Sequence, residues 1–252
     1  IELLSPPGSV SMADDWYQFA QAGHFWFQWR FEVLKRLLRG VNLGKRILEI
    51  GCGNAVSRDQ FESLLGQPVD GCDLNLGALR LAKPGRGRLY YYNIHDRRPQ
   101  WREAFDTILL LDTLEHIDDT RLFLESVRAH MKPGGWIVIN VPAIQALYSR
   151  YDEVAGHVKR YEIPRMRREL SEAGLEIVRA RYWGWTMIPV LVARAAMLCV
   201  TSREQVIERG FQPASPMADR ILRWLMRVEL ASMTPPRIGA SLSVLARRPA
   251  AG

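Results

Sequence analysis

Cysteine is scarce in this chain. Its three residues, Cys52, Cys72 and Cys199, are odd in number and widely spaced, which excludes a disulfide framework and a cysteine-ligated zinc cluster. A reducing, cytoplasmic setting is the expectation. Long apolar runs are also missing. The longest, Trp185 to Val200, is shorter than the roughly 20 residues that span a bilayer, and it contains Pro189 and Arg194. Residues 1–11 have neither the basic start nor the apolar core of a signal peptide, and Met12 reads as a natural start, with residues 1–11 as an upstream extension. Concentrated positive charge is absent despite a net charge of +7. Apart from Arg165-Met-Arg-Arg168 and Arg247-Arg248 the basic residues are scattered, which suits solvated helix faces better than a nucleic-acid surface. The expectation is a soluble protein able to touch a membrane peripherally, without a nucleic-acid partner and without a metal. The oligomeric state is left open.

The chain has 252 residues, 48% of them apolar, and no low-complexity tract, enough for one substantial core. Residues 12–252 read as a single domain. Aromatic and aliphatic residues at helical spacing (Trp16, Phe19, Phe27, Phe31, Leu34, Leu38) mark a helical lead-in over 12–40, stopped by Gly40. Strands are predicted near 46–50, 68–72, 88–93, 105–111, 135–141, 175–182 and 240–247, with helical patterns between them. Such alternation implies right-handed crossovers and a mostly parallel sheet covered on both faces. Two stretches exceed what the sheet needs, 142–162 and 183–237. Both follow strand carboxyl ends, where open α/β sheets bind ligands, and we read them as cap or lid insertions.

The densest signal is Arg46-Ile-Leu-Glu-Ile-Gly-Cys-Gly-Asn54, followed by Asp73 in Val69-Asp-Gly-Cys-Asp-Leu-Asn75. An apolar strand entering a glycine-rich turn, with a carboxylate at the tip of the next strand, is the way a parallel sheet holds a nucleoside. Gly51 and Gly53 let the backbone turn sharply, since a Cβ there would forbid the dihedrals or occupy the ligand's space. Asp73 is placed to accept hydrogen bonds from ribose hydroxyls. Glu49, on the strand before the turn, gains nothing beside a pyrophosphate but suits a ligand bearing an ammonium group.

These segments, together with Leu114-Glu-His-Ile117 and Lys132-Pro-Gly-Gly135, resemble the class I S-adenosylmethionine-dependent methyltransferases over roughly residues 45–142. Over most of its length the chain is similar to a bacterial subgroup of such enzymes whose acceptors are mostly unknown, and to quinone-biosynthesis methyltransferases. The signatures are His24-Phe-Trp-Phe-Gln-Trp-Arg30, Tyr148-Ser-Arg-Tyr-Asp152, Gly156-His-Val-Lys-Arg-Tyr161 and the terminal Gly239 to Pro249. One departure is Asn54-Ala55, where the subgroup has Thr-Gly. The resemblance implies a Rossmann-like, doubly wound, seven-stranded, mostly parallel sheet with an antiparallel last strand and a helical cap. It also implies S-adenosylmethionine as cofactor, S-adenosylhomocysteine as its product, and a small-molecule acceptor, hydrophobic or lipid-linked.

The same resemblance assigns the donor site to Glu49, Gly51, Cys52, Gly53, Asp73 and Leu74, with Asn93 and Ile94 at the adenine, Leu111 and Asp112 beside the methionine part, and Arg30 on its carboxylate. Asp112 has a second reading as a helix cap. His116 and His157 are the candidate catalytic residues, because imidazole has the best-matched pKa for removing an acceptor proton. Tyr148, Arg160 and Tyr161 are candidate acceptor contacts, Arg160 through bidentate binding of an anionic group. Two rivals stand beside this reading: a nicotinamide-dependent oxidoreductase, which needs Gly-x-Gly-x-x-Gly where this chain has Val56 last, and a non-catalytic adenosine-ligand-binding protein of the same fold. Trp183, Trp185, Met187 and Trp224 read as core first and acceptor pocket second.

Overall fold

The computed structural model describes residues 1–8, 17, 20–211, 215–232 and 234–250, with backbone alone for Glu204 and Glu208. Strands β1 (Glu2–Leu3), β2 (Ile47–Ile50), β3 (Asp70–Asp73), β4 (Leu89–Tyr91), β5 (Phe105–Leu111), β6 (Met131–Pro142), β7 (Glu176–Trp183) and β8 (Ser241–Arg247) make one sheet in the order β1-β4-β3-β2-β5-β6-β8-β7. Every pairing is parallel except those of β8, which runs antiparallel to both β6 and β7. The α/β class and the antiparallel last strand agree with the sequence reading. The strand count is corrected from seven to eight, because Glu2 and Leu3, too short a run to carry a periodicity, pair with Tyr90 and Tyr91.

Successive β5 residues pack on opposite faces. Ile108 and Leu110 join the core against α4 (Thr120–His130) and α6 (Ile163–Glu172), while Leu109 and Leu111 join the core against α1 (Phe25–Leu37) and α2 (Val56–Leu65). Such burial on both faces explains why the second half of β5 reads as a continuous apolar run rather than an alternating one. Among the described residues, no helix is long and apolar enough to cross a membrane.

Within the lead-in, Tyr17 is helical and a turn separates it from α1. Residues 20–24 form a turn, and α1 starts at Phe25, where the His24 ring accepts the Trp26 amide at 3.2 Å as an N-cap. Trp16 and Phe19 lie outside the described residues. Between β6 and β7 the chain forms α5 (Arg150–Ala155) and α6; between β7 and β8 it forms α7 (Ile188–Leu198), α8 (Val206–Phe211) and α9 (Pro216–Ala231). Trp183, at the end of β7, is wholly buried where α1, α7 and α9 meet, its ring 4.6 Å from Trp26 and 5.8 Å from Trp29. Trp185 and Trp224, by contrast, are exposed.

The chain builds the sheet outward in one direction from β2 to β4 and in the other from β5 onward. The reversal lies between β2 and β5, and the crevice beyond their carboxyl ends is where such a sheet takes a ligand. Replacing Trp183 by Ala is expected to cost about 3–5 kcal/mol of stability, seen as a lower urea midpoint with no change of slope, and Trp183→Phe is expected to cost clearly less because the ring contacts survive.

Candidate active site

β2 runs into a turn whose backbone is left-handed at Gly51 (φ 74°) and Gly53 (φ 52°). Side chains there are refused by neighbouring protein atoms as well as by the dihedrals: a Cβ on Gly51 would stand 2.5 Å from Thr113 Oγ1, and one on Gly53 would stand 2.6 Å from the Tyr17 ring. Ala55 is also left-handed, at φ 63°. Asn54 Nδ2 donates to the carbonyls of Tyr17 (3.2 Å) and Ala20 (2.8 Å), fastening the lead-in segment against the turn. Asp73, at the tip of β3, accepts the Gly53 amide on Oδ2 and the Asn75 amide on Oδ1, both at 2.7 Å. The Leu74 amide donates to this carboxylate as well, so backbone amides anchor it from both the glycine turn and its own loop. Burial pushes this carboxyl up from its ordinary value, and the amide bonds oppose the rise only in part. Burial, then the charge of Asp73, holds the Cys52 and Cys72 thiols well above their usual value, so both are packing groups without nucleophilic character.

On the other side of the turn, Glu49 is 2% exposed. It takes hydrogen bonds from the Ser57 hydroxyl and the Arg58 amide, yet its Oε2 finds no partner among the described residues. Burial pushes it up to about 8 against the pull of Arg30. Arg30, also 2% exposed, donates to Asp112 Oδ2 at 2.6 Å and to the Ser57 hydroxyl. Asp112 is itself left-handed (φ 58°) and accepts Asn140 Nδ2 on its other oxygen at 2.6 Å. Both of its oxygens are therefore occupied by neighbours, and it caps no helix.

One cavity of about 1330 Å³ is lined by Glu49, Gly51, Asp73, Ile94, Asp112 and His116, among others. Arg30, Cys52, Gly53, Leu74, Asn93, Leu111, His157 and Arg160 border it too, so the predicted donor residues and both histidines share one space. Two predicted contacts are corrected. Tyr161 is wholly buried in the sheet core with its hydroxyl toward the Leu114 carbonyl, and Tyr148 donates to the His157 carbonyl at 2.7 Å. Neither lines the cavity; their aromatic character serves packing and loop closure. Arg160 lines it, but its guanidinium is held by both oxygens of Asp152 at 2.9 and 3.0 Å. Asn93 Oδ1 accepts the His95 amide within its own turn, which leaves the Nδ2 group as the part of this side chain free of that bond.

His116 follows β5 in the turn Leu114–His116, and His157 follows α5. Their rings meet edge to face at 4.8 Å. Burial, then the neighbouring His157, pushes His116 down to about 4, leaving it neutral at physiological pH. His157 Nδ1 donates to Asp152 Oδ1 at 2.9 Å. Burial alone would raise Asp152, but the hydrogen bond from His157 and the charge of Arg160 hold it well below the usual carboxylate range. Glu115, 1% exposed, is pushed well up by burial and then by Asp112.

Several further residues at or beside this cavity were given no site role from the sequence. Asn140 joins Asp112 to Trp183 Nε1 (3.0 Å) and Ser243 Oγ (2.7 Å). His24 stacks on Phe211, ring centroids 4.2 Å apart, and burial pushes it down to about 4. Tyr17, Leu191 and Leu222 line the cavity from the lead-in and the cap. Their partners are remote in sequence, so no local pattern marks them.

Residues 18–180 match a family model described as a methyltransferase domain. The chain is 29% identical over 135 residues to the mitochondrial ubiquinone biosynthesis O-methyltransferase of Schizosaccharomyces pombe, covering 50% of this chain and 49% of that one. It is 35% identical over 101 residues to the ubiquinone biosynthesis O-methyltransferase of a Bradyrhizobium species, covering 38% and 40%. The chain thus spans about half the length of the curated relatives it matches. Among solved structures, a methyltransferase of Archaeoglobus fulgidus described as S-adenosylmethionine-dependent aligns with TM-score 0.53 at 18% identity, over 88% of this chain and 98% of that one. The putative methyltransferase in a Haloferax volcanii Trm112 activator complex aligns with TM-score 0.62 at 16% identity, over 96% and 100%. At such identities the likeness is one of fold.

Glu49 also sets a pH dependence. Its folded value of about 8 lies above its ordinary 4.5, so its contribution to stability is complete below the ordinary value and is lost as pH rises through the folded one. Between those limits wild type should lose stability relative to Glu49→Gln at about 1.4 kcal/mol per pH unit, measured as the difference between their urea unfolding curves across the range.

Proposed function

Since this chain belongs to the methyltransferase-domain family matched over residues 18–180, we propose that it transfers a methyl group from S-adenosylmethionine to a small-molecule acceptor with an apolar or lipid-linked body. The observation that carries the donor assignment is Glu49, whose buried oxygen without a partner stands in one cavity with the backbone-anchored Asp73. A cationic amino-acid nucleoside meets both needs, its ammonium at Glu49 and its ribose hydroxyls at Asp73. A dinucleotide would set a pyrophosphate against the Glu49 carboxylate instead.

When bound, S-adenosylmethionine supplies a methyl group on a positively charged sulfur, poised for in-line displacement. The chain's own part is alignment and exclusion of water. Asp73 and Leu74 hold the ribose edge, and the amides of Gly51, Cys52 and Gly53 line the turn beneath it. Asn93 and Ile94 border the adenine, with the Asn93 amide group donating to a ring nitrogen. Leu111 and Asp112 border the methionine part, and Arg30 orients Asp112 from behind while adding positive charge for the carboxylate. His116 and His157 stand at the acceptor's reacting group, and Arg160 acts through Asp152 to hold His157. Tyr148 and Tyr161 support that loop from behind.

The acceptor reading draws on the far walls of the cavity, where Met187, Val190, Leu191, Phe211, Ile221 and Leu222 present apolar surface from residues 183–237. Together with residues 142–162, that segment forms the cap over a single domain. The relatives named for ubiquinone biosynthesis O-methylation favour a hydroxyl on such a molecule.

Calorimetric titration tests the donor. S-adenosylmethionine and S-adenosylhomocysteine should bind wild type in the micromolar range, about −8 kcal/mol, and Asp73→Ala should weaken both at least about tenfold, each hydrogen bond lost at a buried charged group being worth about 1.5–3 kcal/mol. Binding of NAD in their place would replace this reading with an oxidoreductase, and binding of none of the three would leave a scaffold of the same fold.

A further inference from the structure

The cap side of the cavity holds a cation that no described carboxylate neutralises. Arg194 interrupts the apolar sequence of α7, and it lines the cavity together with Arg203, in the turn Arg203–Gln205, and Arg209 of α8. Its guanidinium is held in place. Cζ stands 4.3 Å from the centre of the Tyr151 ring, and Nη1 donates to the Gly210 carbonyl at 2.8 Å. Nε is closed off from solvent without a partner among the described residues, which leaves Nη2 as the open edge of the group.

The carboxylates on this side are engaged elsewhere or face water. Asp152 gives both oxygens to Arg160 and one of them also to His157. Glu153 lines the cavity but is exposed. Among the described residues, none of the three arginines has a carboxylate at ion-pair distance. Burial pulls the Arg194 guanidinium below its ordinary value, and the charge of Arg160 acts in the same direction. A cation in a mostly apolar space is costly unless it is paired, and an anionic ligand offsets that cost.

We propose that Arg194, with Arg203 and Arg209, forms a phosphate-binding subsite in the cap, and that the acceptor is an apolar molecule bearing a phosphate ester. A carboxylate has one charge on two oxygens, which a single guanidinium fork matches. A phosphate monoester carries about −1.5 to −2 charges on three oxygens at neutral pH, and it calls for more than one cation. Arg194 supplies the fixed contact, and the exposed Arg203 and Arg209 supply charge at the rim. The subsite deepens the proposed function and rests on it for its use. The Tyr151 ring that carries the Arg194 guanidinium also meets the His157 ring edge to face, centroids 6.4 Å apart. Phosphate and reacting hydroxyl are thereby held on adjoining walls, with the apolar body along Met187, Leu191 and Leu222. The phosphate takes no part in the transfer; it selects the acceptor and sets its orientation.

The test is calorimetric titration of the whole chain, alone and with S-adenosylhomocysteine, using four probes: octyl phosphate below its micelle-forming concentration, octanoate, octanol and inorganic phosphate. Octyl phosphate should bind wild type at least about tenfold tighter than any of the other three, the effect of one charge-assisted hydrogen bond. Arg194→Gln should weaken octyl phosphate at least about tenfold and Arg209→Ala by a smaller factor, with octanol unchanged in both. Thermal unfolding identifies a variant that has lost its fold, and Arg209→Ala, at an exposed position, keeps the test open if Arg194→Gln does not fold. Octanoate that binds as tightly as octyl phosphate, or folded variants that bind octyl phosphate as wild type does, would overturn the phosphate subsite. Inorganic phosphate that binds as tightly as octyl phosphate would put a free ion there and overturn the acceptor assignment. Binding of S-adenosylhomocysteine without octyl phosphate defeats this proposal and leaves the donor assignment standing; binding of octyl phosphate without the nucleoside does the reverse.

Discussion

The carboxylate of Asp112 is the constraint on which much of this molecule depends. It sits at the carboxyl end of β5 in a left-handed backbone conformation, with Arg30 on one oxygen and Asn140 on the other. Arg30 brings in α1 and, through Ser57, the start of α2. Asn140 belongs to β6, and it accepts both the Trp183 indole at the end of β7 and the Ser243 hydroxyl of β8. One chain of polar contacts therefore joins the lead-in helix, the strand ends that frame the crevice and the base of the cap. Such a network is worth having only when every member is satisfied, because an unpaired group in low dielectric costs more than a made bond returns. Among the described residues of this network the joints are nearly complete, Arg30 Nε being without a partner.

The cavity has two ends of different electrostatic character. At the glycine turn the carboxylates of Glu49 and Asp73 are buried and pushed upward, and a positively charged ligand relieves the first of them. At the acceptor end the charge is already balanced around Asp152, which Arg160 and His157 hold ionised, while Glu115 beside it is left without a partner. Polar groups thus crowd the strand carboxyl ends, and the cap contributes mainly apolar side chains. That division matches a reaction in which polar chemistry is confined to the point where donor and acceptor meet, with an apolar body held by burial.

Legibility in the sequence follows the range of the forces involved. Strands β2 to β8 were readable to within a few residues, since apolar or alternating segments bounded by turn residues are a local property. The donor turn was readable for the same reason, although the structure gives the glycines a partly different cause: Thr113 and Tyr17, not a ligand, occupy the space a Cβ would need. The readings of Tyr148 and Tyr161 as acceptor contacts fell because an aromatic residue in a loop looks the same whether it faces the cavity or the core. The turn that divides the lead-in just before Phe25 was not readable, because aromatic spacing continues through His24, whose ring closes the start of α1 by capping it. Strand β1 was missed because two residues carry no period; its partner β4 supplies the hydrogen bonds.

By itself the sequence determined the α/β class, the alternation of strands and helices from β2 onward, and the glycine turn with its two acidic residues, all of which rest on dihedral preference and on hydrophobic periodicity within a few residues. Only the tertiary structure decided which side chains share a space. Asp112 between Arg30 and Asn140, Trp183 under α1, and Glu115 beside His116 and His157 are brought together across tens to more than a hundred residues. Hydrogen bonding and desolvation act over a few ångströms, so what these groups do was settled by the packing that made them neighbours.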